Sequence, residues 1–261
     1  MNDATVQPMS ASTLLQDILA NGYVRTADGE VMALDSHITR EIGEMLQRLI
    51  REIDARKTLE IGLAFGVSAL FMCDALADRA DAKHVAIDPE QHGPYWRGVG
   101  LHHLALAGLD RIVDFRELPS HLALPDLERE GFRCDLALVD GCHTFDYVMV
   151  DMFLVDRLLR PGGVMVVDDT EWPSVRQACR YFITNRGYSV IQCFGSQPKR
   201  RSIARHIVSR VAQRWPAIGL RLKPEWAVPD EDLGLVPRCR CVALRKTTGD
   251  DTRVEFQHER F

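Results

Sequence analysis

The chain has 261 residues, of which 46% are hydrophobic and 26% charged, with a net charge of −5. These are the proportions of an ordinary soluble α/β domain with additions, and no apolar run is long enough to span a bilayer. The start, Met1-Asn-Asp-Ala4, shows no basic-then-apolar secretory pattern, and the seven cysteines, with Cys239 and Cys241 the one close pair, do not have zinc-site spacing, so a reduced cytoplasm is the expected setting.

Residues 1–9 read as a loose terminus, and Thr13 to Ala20 as a short helix ended by Asn21-Gly22. Ser36 is the expected N-cap of a helix in which Ile38, Ile42, Met45, Leu46, Leu49, Ile50 and Ile53 recur at helical spacing. Residues 58–62 form a short apolar strand that runs into Gly62-Leu-Ala-Phe-Gly66 and then a helix over about 67–80. A glycine turn before a helix N-terminus brings backbone N–H groups close to a ligand and favours an anionic group there. Glu60 at the strand end suits an ammonium. The site therefore fits a ligand with both charges, such as the amino-acid end of S-adenosylmethionine (SAM). The G-x-x-x-G spacing is not that of nicotinamide binders.

Four further strands follow, at 84–88, 111–116, 134–140 and 164–168, with helices at 94–107, 121–129, 147–159 and 174–185 between and after them. Tyr188 to Phe194 and Arg240 to Lys246 are two late strands. Near-continuous apolar strands alternating with helices predict a doubly wound, mostly parallel seven-stranded sheet with an antiparallel last strand. Ligands in such folds bind beyond the carboxyl ends of the strands. Glu60, Asp88, Asp140 and Asp168 all fall at those ends, which packing alone does not explain. Residues 195–223 carry eight Lys/Arg and no Asp/Glu. Within them Arg200 to Trp215 reads as a helix with an apolar stripe and arginines elsewhere, which suits a solvated basic face, a lid beside the acceptor, or a dimer contact. The expected organisation is an N-terminal extension (1–35), a SAM-binding core (36–194), a basic helical insert (195–238), and a last strand with a tail (239–261).

Glu60-Ile-Gly62-Leu-Ala-Phe-Gly66-Val-Ser68 resembles the first motif of class I SAM-dependent methyltransferases of the catechol and caffeoyl-CoA O-methyltransferase branch. The resemblance covers residues 36–194 and the last strand. It implies that Glu60, Gly62, Gly66 and Ser68 hold the methionine end of SAM, that Asp88 holds the ribose hydroxyls, and that Ser120 lies near the adenine. It also implies Mg²⁺ ligands at Asp140, Asp168 and Asp169, the last standing where the branch has Asn. The branch has a lysine three residues after the fourth-strand acid; here that position is His143. Asp140-Gly-Cys-His143, Arg160-Pro-Gly-Gly163 and Asp168-Asp169 also resemble a broad bacterial group that modifies varied small molecules and sugars.

Three carboxylates at one point repel unless a cation joins them, and a hydroxyl bound to that cation loses its proton more readily. His143 titrates near neutrality and is the expected base, with Asp140 beside it at the reaction centre. Asp140 and Asp168 are read alternatively as acceptors for backbone N–H groups. His102 and His103 read as structural or solvated. Trp172 suits an acceptor pocket or the sheet edge, and Tyr95 and Trp96 a cofactor cover or the core. The expected activity is methyl transfer from SAM to a small-molecule acceptor, at a hydroxyl oxygen, with an anionic acceptor and a homodimer as options raised by the insert. The alternatives are a metal-independent N-methyltransferase and a SAM-fold scaffold that binds nucleic acid through the insert. No membrane partner is expected.

Overall fold

The computed structural model describes residues 9–195, 211, 215, 228–236, 238–249 and 261. The basic helix expected over 200–215 thus lies, apart from Val211 and Trp215, outside the described residues, and with it the lid or dimer role of the insert. The chain forms two compact units, Met1–Ala137 and Leu138–Phe261.

In the first unit, helix α1 (Ala11–Asn21) starts where Ser10 Oγ accepts the Thr13 N–H at 3.1 Å and stops at Gly22, whose φ of 69° is left-handed. Strands β1 (Tyr23–Arg25) and β2 (Val31–Ala33) then pair as an antiparallel hairpin that the sequence pattern had not indicated. Helix α2 (Arg40–Glu52) buries Ile42, Met45, Leu46, Leu49 and Ile50 on one face. Its cap is Thr39, not Ser36. Thr39 Oγ1 faces the Ile42 N–H at 3.5 Å, while Ser36 takes a φ of 46° in the loop before it. Strands β3 (Lys57–Ile61), β4 (Lys83–Ile87) and β5 (Val113–Arg116) are parallel neighbours, with Thr58 opposite His84 and His84 opposite Val113. Helix α3 (Val67–Leu76) follows β3 and is buried nearly all round, as a sequence apolar but for Ser68 and Asp74 requires. Helix α4 (Val99–Leu106) starts later than the expected 94, because Arg97 and Gly98 sit at φ 51° and 74°, which a right-handed helix cannot include. Helix α5 (Ser120–Arg129) follows β5.

Strand β6 (Cys134–Val139) runs across the boundary between the units. The second unit contains α6 (Phe145–Leu158), β7 (Leu159–Val167), α7 (Pro173–Asn185), β8 (Tyr188–Gly195) and β9 (Cys239–Lys246). β7 begins five residues before the expected Val164 and takes Arg160-Pro-Gly-Gly163 into the strand. β9 is antiparallel to both β7 and β8. The strand order is β5-β4-β3-β6-β7-β9-β8, a mostly parallel seven-stranded sheet with an antiparallel last strand and a Rossmann-like order of elements, as expected. In this unit a buried Asp156 takes the Tyr188 hydroxyl at 2.7 Å and Lys246 Nζ at 3.1 Å, and pairs with Arg186. Among the described residues no helix is long and apolar enough to cross a membrane.

Candidate functional site

In the first unit Glu60, on β3, is fully buried. Its Oε2 accepts the Ser68 hydroxyl at 2.7 Å, and its Oε1 lies 3.1 Å from His84 Nε2. His84 Nδ1 in turn lies 2.8 Å from Thr58 Oγ1. The turn that follows β3 places Gly62, Ala64 and Gly66 at φ 94°, 47° and 76°. Three left-handed residues in five double the chain back before α3. A Cβ at Gly66 would come within 2.9 Å of the Gly100 Cα and carbonyl oxygen. Glycine at 66 is therefore required first by the close approach of α4, not by a ligand alone.

Asp88, just past β4, fastens this turn. Its Oδ2 accepts the Leu63 and Ala64 N–H groups at 3.1 and 2.9 Å, and its Oδ1 accepts the Glu90 N–H at 3.0 Å. A carboxylate has about four lone-pair positions, so one is left on Oδ1, enough for a single hydroxyl. Gln91, fully buried, spans the turn and α4: its Nε2 donates to the Ala64 carbonyl at 2.9 Å and its Oε1 accepts the Gly100 N–H at 3.1 Å. His103 Nδ1 faces the Phe65 carbonyl at 2.8 Å, and burial holds its pKa below the usual histidine value. His103 is thus structural, as expected. Trp96 packs edge-on against Phe65, and the exposed Tyr95 donates its hydroxyl to Asp35 at 2.9 Å. Ser120 is the buried first residue of α5.

In the second unit Asp140 follows β6 and Asp168-Asp169 follows β7. The Asp168 N–H donates to the Val139 carbonyl at 3.2 Å, which ties the two strand ends together. Asp169 sits at φ 52°, and its carbonyl accepts the Trp172 N–H at 2.9 Å. The Ser174 hydroxyl donates to the His143 carbonyl at 2.6 Å, and the Trp172 ring lies 5.2 Å from the His143 ring. Asp140, His143 and Asp169 offer donor atoms that all lie within 4.8 Å of one another. His143 Nε2 is 2.9 Å from Asp169 Oδ2 and 3.5 Å from Asp140 Oδ1, but without hydrogen-bond alignment, so these are ion pairs set by proximity. The carboxylates of Asp140 and Asp169 hold the imidazole pKa up to about 10, and the imidazolium holds Asp169 below the usual carboxylate range.

Asp168 is buried, and its Oδ1 has no hydrogen-bond partner among the described residues. Its Oδ2 is 3.7 Å from Arg240 Nη2. Burial first, and the Asp140 charge second, push its pKa up to about 8 despite Arg240. Three carboxyl groups, one of them with an orphaned buried oxygen, fit a hard divalent cation such as Mg²⁺ or Mn²⁺, and the imidazole also suits ions such as Fe²⁺.

The sequence-predicted residues thus fall into two sets. Glu60, Gly62, Gly66, Ser68, Asp88 and Ser120 lie in the first unit. Asp140, His143, Asp168 and Asp169 lie in the second, where Asp140, His143 and Asp169 form the closest grouping and the buried Asp168 faces Arg240. Reasoning from sequence missed Gln91, His84, Thr58 and Arg240. A histidine inside the apolar run of β4 was a visible signal for His84; nothing local marks the other three.

Residues 59–170 match the protein family described as a methyltransferase domain. A probable caffeoyl-CoA O-methyltransferase of Arabidopsis thaliana is 31% identical over 137 residues, covering 51% of this chain and 55% of that protein. A caffeoyl-CoA O-methyltransferase of Petroselinum crispum is 35% identical over 142 residues, covering 50% and 52%. The chain spans about half the length of the curated relatives it matches. Among solved structures, the O-methyltransferase TomG of Streptomyces achromogenes, in complex with SAM, superposes with a TM-score of 0.59 at 20% identity over 94% of this chain and 93% of that one. Residues 59–170 are therefore similar to a methyltransferase domain, and the chain shares the Rossmann-like fold of the solved O-methyltransferase TomG.

Proposed function

We propose that the chain is a SAM-dependent methyltransferase that modifies a hydroxyl oxygen of a small-molecule acceptor with the help of a divalent cation. The observation that carries this reading is the group formed by Asp140, His143 and Asp169 beside the orphaned oxygen of Asp168, on a chain whose residues 59–170 match a methyltransferase domain. The names of the relatives, all O-methyltransferases among those above, support oxygen as the acceptor atom.

When bound, SAM supplies the methyl group and a divalent cation lowers the pKa of the acceptor hydroxyl. The chain's own residues do the rest. Glu60 and Ser68 take the ammonium of the cofactor, and the N-terminal end of α3 behind Gly62 and Gly66 favours its carboxylate. Asp88 spends its remaining lone pair on one ribose hydroxyl, and Ser120 lies towards the adenine. Asp140, Asp168 and Asp169 hold the cation. Asp140 and Asp169 keep His143 protonated; were their charge shared with a bound cation, the imidazole would be free to accept the hydroxyl proton. The 36–194 core with its 195–238 insert is part of this proposal.

The test uses caffeoyl-CoA and simple catechols as first acceptors, with release of S-adenosylhomocysteine as the readout. Turnover should vanish in excess EDTA and return with Mg²⁺ or Mn²⁺. His143→Ala should lower turnover by roughly 10²–10⁴-fold while leaving Mn²⁺ binding, followed by electron paramagnetic resonance, in place. Full turnover in EDTA rules out the cation, and loss of Mn²⁺ binding in His143→Ala makes the histidine a ligand instead of the base.

A further inference from the structure

We propose that His84 is a positioning residue that aims the Glu60 carboxylate at the ammonium of the cofactor, so that the amino-acid end of the ligand is read by a buried chain running Thr58, His84, Glu60, Ser68. This rests on the reading above that Glu60 meets that ammonium.

The chain follows from the strand register. Thr58 and His84 are opposite one another on parallel strands, and Glu60 is two residues along β3, so the three side chains share one face of the sheet. Thr58, Glu60 and His84 are fully buried, and Ser68 nearly so. A face of the sheet needs no polar groups to pack; the neighbouring residues of β4 are Val85, Ala86 and Ile87. Each buried polar group costs free energy unless it is paired, whereas an apolar set in the same volume would cost nothing of that kind. Holding Glu60 in one orientation accounts for the whole set.

The donors are fixed by chemistry. An ionised carboxylate only accepts, so the proton on the His84 ring lies on Nε2 whichever role Thr58 plays at Nδ1. His84 Nε2 pins one oxygen of Glu60 at 3.1 Å, and the Ser68 hydroxyl pins the other at 2.7 Å. The carboxylate cannot turn without losing a donor, and about two of its lone-pair positions are left beyond those two donors. His84 and Glu60 have no exposed surface and Ser68 is 6% exposed, so the chain opens towards a ligand at its Ser68 end, and His84 acts on that end only through Glu60.

The experiment compares binding of two probes by calorimetry: S-adenosylhomocysteine, which carries the amino-acid end, and 5′-methylthioadenosine, which lacks it. His84→Leu should weaken S-adenosylhomocysteine by roughly ten- to a hundredfold and leave 5′-methylthioadenosine unchanged. His84→Gln, which can return an N–H to Glu60, should recover most of the loss. Glu60→Gln tests the underlying reading: an unchanged ratio of the two affinities there overturns the role of Glu60 itself. If Glu60→Gln collapses the ratio and His84→Leu does not, or if His84→Leu weakens both probes equally, the positioning role is overturned. Should His84→Leu fail to fold, Thr58→Val, which removes only the far end of the chain, must shift the ratio in the same direction by a smaller factor, and an unchanged ratio overturns the proposal.

Discussion

In the Met1–Ala137 unit, Glu60 and Asp88 have a hydrogen-bond donor at every carboxylate oxygen, whereas in the Leu138–Phe261 unit Asp168 keeps a buried oxygen with none among the described residues. The donors of the first unit are mostly neutral: backbone N–H groups, a hydroxyl, an imidazole. Those acids shape a turn and leave a few lone pairs for a ligand. At the second site Asp140 and Asp169 share the imidazolium of His143 as counter-charge, while Asp168 faces Arg240. The first arrangement is complete as a fold. The second relieves the repulsion of carboxylates at this spacing by a raised Asp168 pKa and a protonated His143, and in the reading proposed above a cation takes over that task. This difference predicts opposite responses when single acids are removed.

The largest effect tests whether burial alone explains Asp168. Asp156, in the same unit, is buried to nearly the same degree, at 4% exposure against 2%. Burial pushes its pKa up, but Arg186, Tyr188 and Lys246 outweigh that and hold it below the usual carboxylate range, while Asp168 is raised. Partners, not depth, decide the sign. Asp156→Ala should therefore destabilise the protein by about 3–5 kcal/mol, the usual effect of breaking a buried charge pair, read from denaturant unfolding at pH 7. The pH dependence has a fixed sign. A depressed folded-state pKa gives stability that is present above the unfolded value, about 4, and lost as pH falls through the folded value. The parent and the variant should converge in stability at low pH; a gap unchanged at pH 2 would show that lost packing, not charge, accounts for the difference.

Much of this contrast was legible in the sequence. Acids placed directly after apolar strand runs mark Asp88, Asp140 and Asp168, and the doubled Asp168-Asp169 marks the second site. What was hidden depends on atoms far along the chain. Gln91 acts through the backbone of Ala64 and Gly100, and no local pattern encodes such partners. The start of α4 moved because Arg97 takes a left-handed conformation that its residue type does not advertise. The β1–β2 hairpin has strands of three residues, too short for alternation to register. Ser36 and Thr39 are both good caps, and the choice between them is made by the packing of α2.

A smaller effect is expected at Asp88, and it should be destabilising. Asp88→Ala leaves the Leu63, Ala64 and Glu90 N–H groups without their acceptor, at a cost of about 1.5–3 kcal/mol in the ligand-free protein. SAM affinity should fall as well, since the turn loosens and the ribose loses a hydroxyl acceptor. Thermal unfolding without ligand and calorimetry with it separate the two. A variant with lowered affinity but full stability would assign Asp88 to the ribose alone and remove its role as a clamp.

The last effect has the opposite sign. Asp168→Asn should stabilise the cation-free protein at pH 8, because it removes an acid whose ionised form is disfavoured by burial and by Asp140. The raised pKa, about 8, fixes the pH range over which this develops. The folded state holds the Asp168 proton more tightly than the unfolded state does, so parent stability declines as pH rises from about 4 towards the folded value, while the asparagine variant has no such decline from this position. The two should match near pH 4 and separate progressively to pH 8. Added Mn²⁺ should reverse the order, since the parent gains a ligand that binds only its folded state and the variant has lost a donor. Unfolding curves at pH 5 and 8, each with EDTA or Mn²⁺, supply all four comparisons. If Asp168→Asn destabilises the EDTA-treated protein at pH 8, the acid is a structural partner of Arg240, and the second site would then resemble the first in having every carboxylate satisfied by the fold.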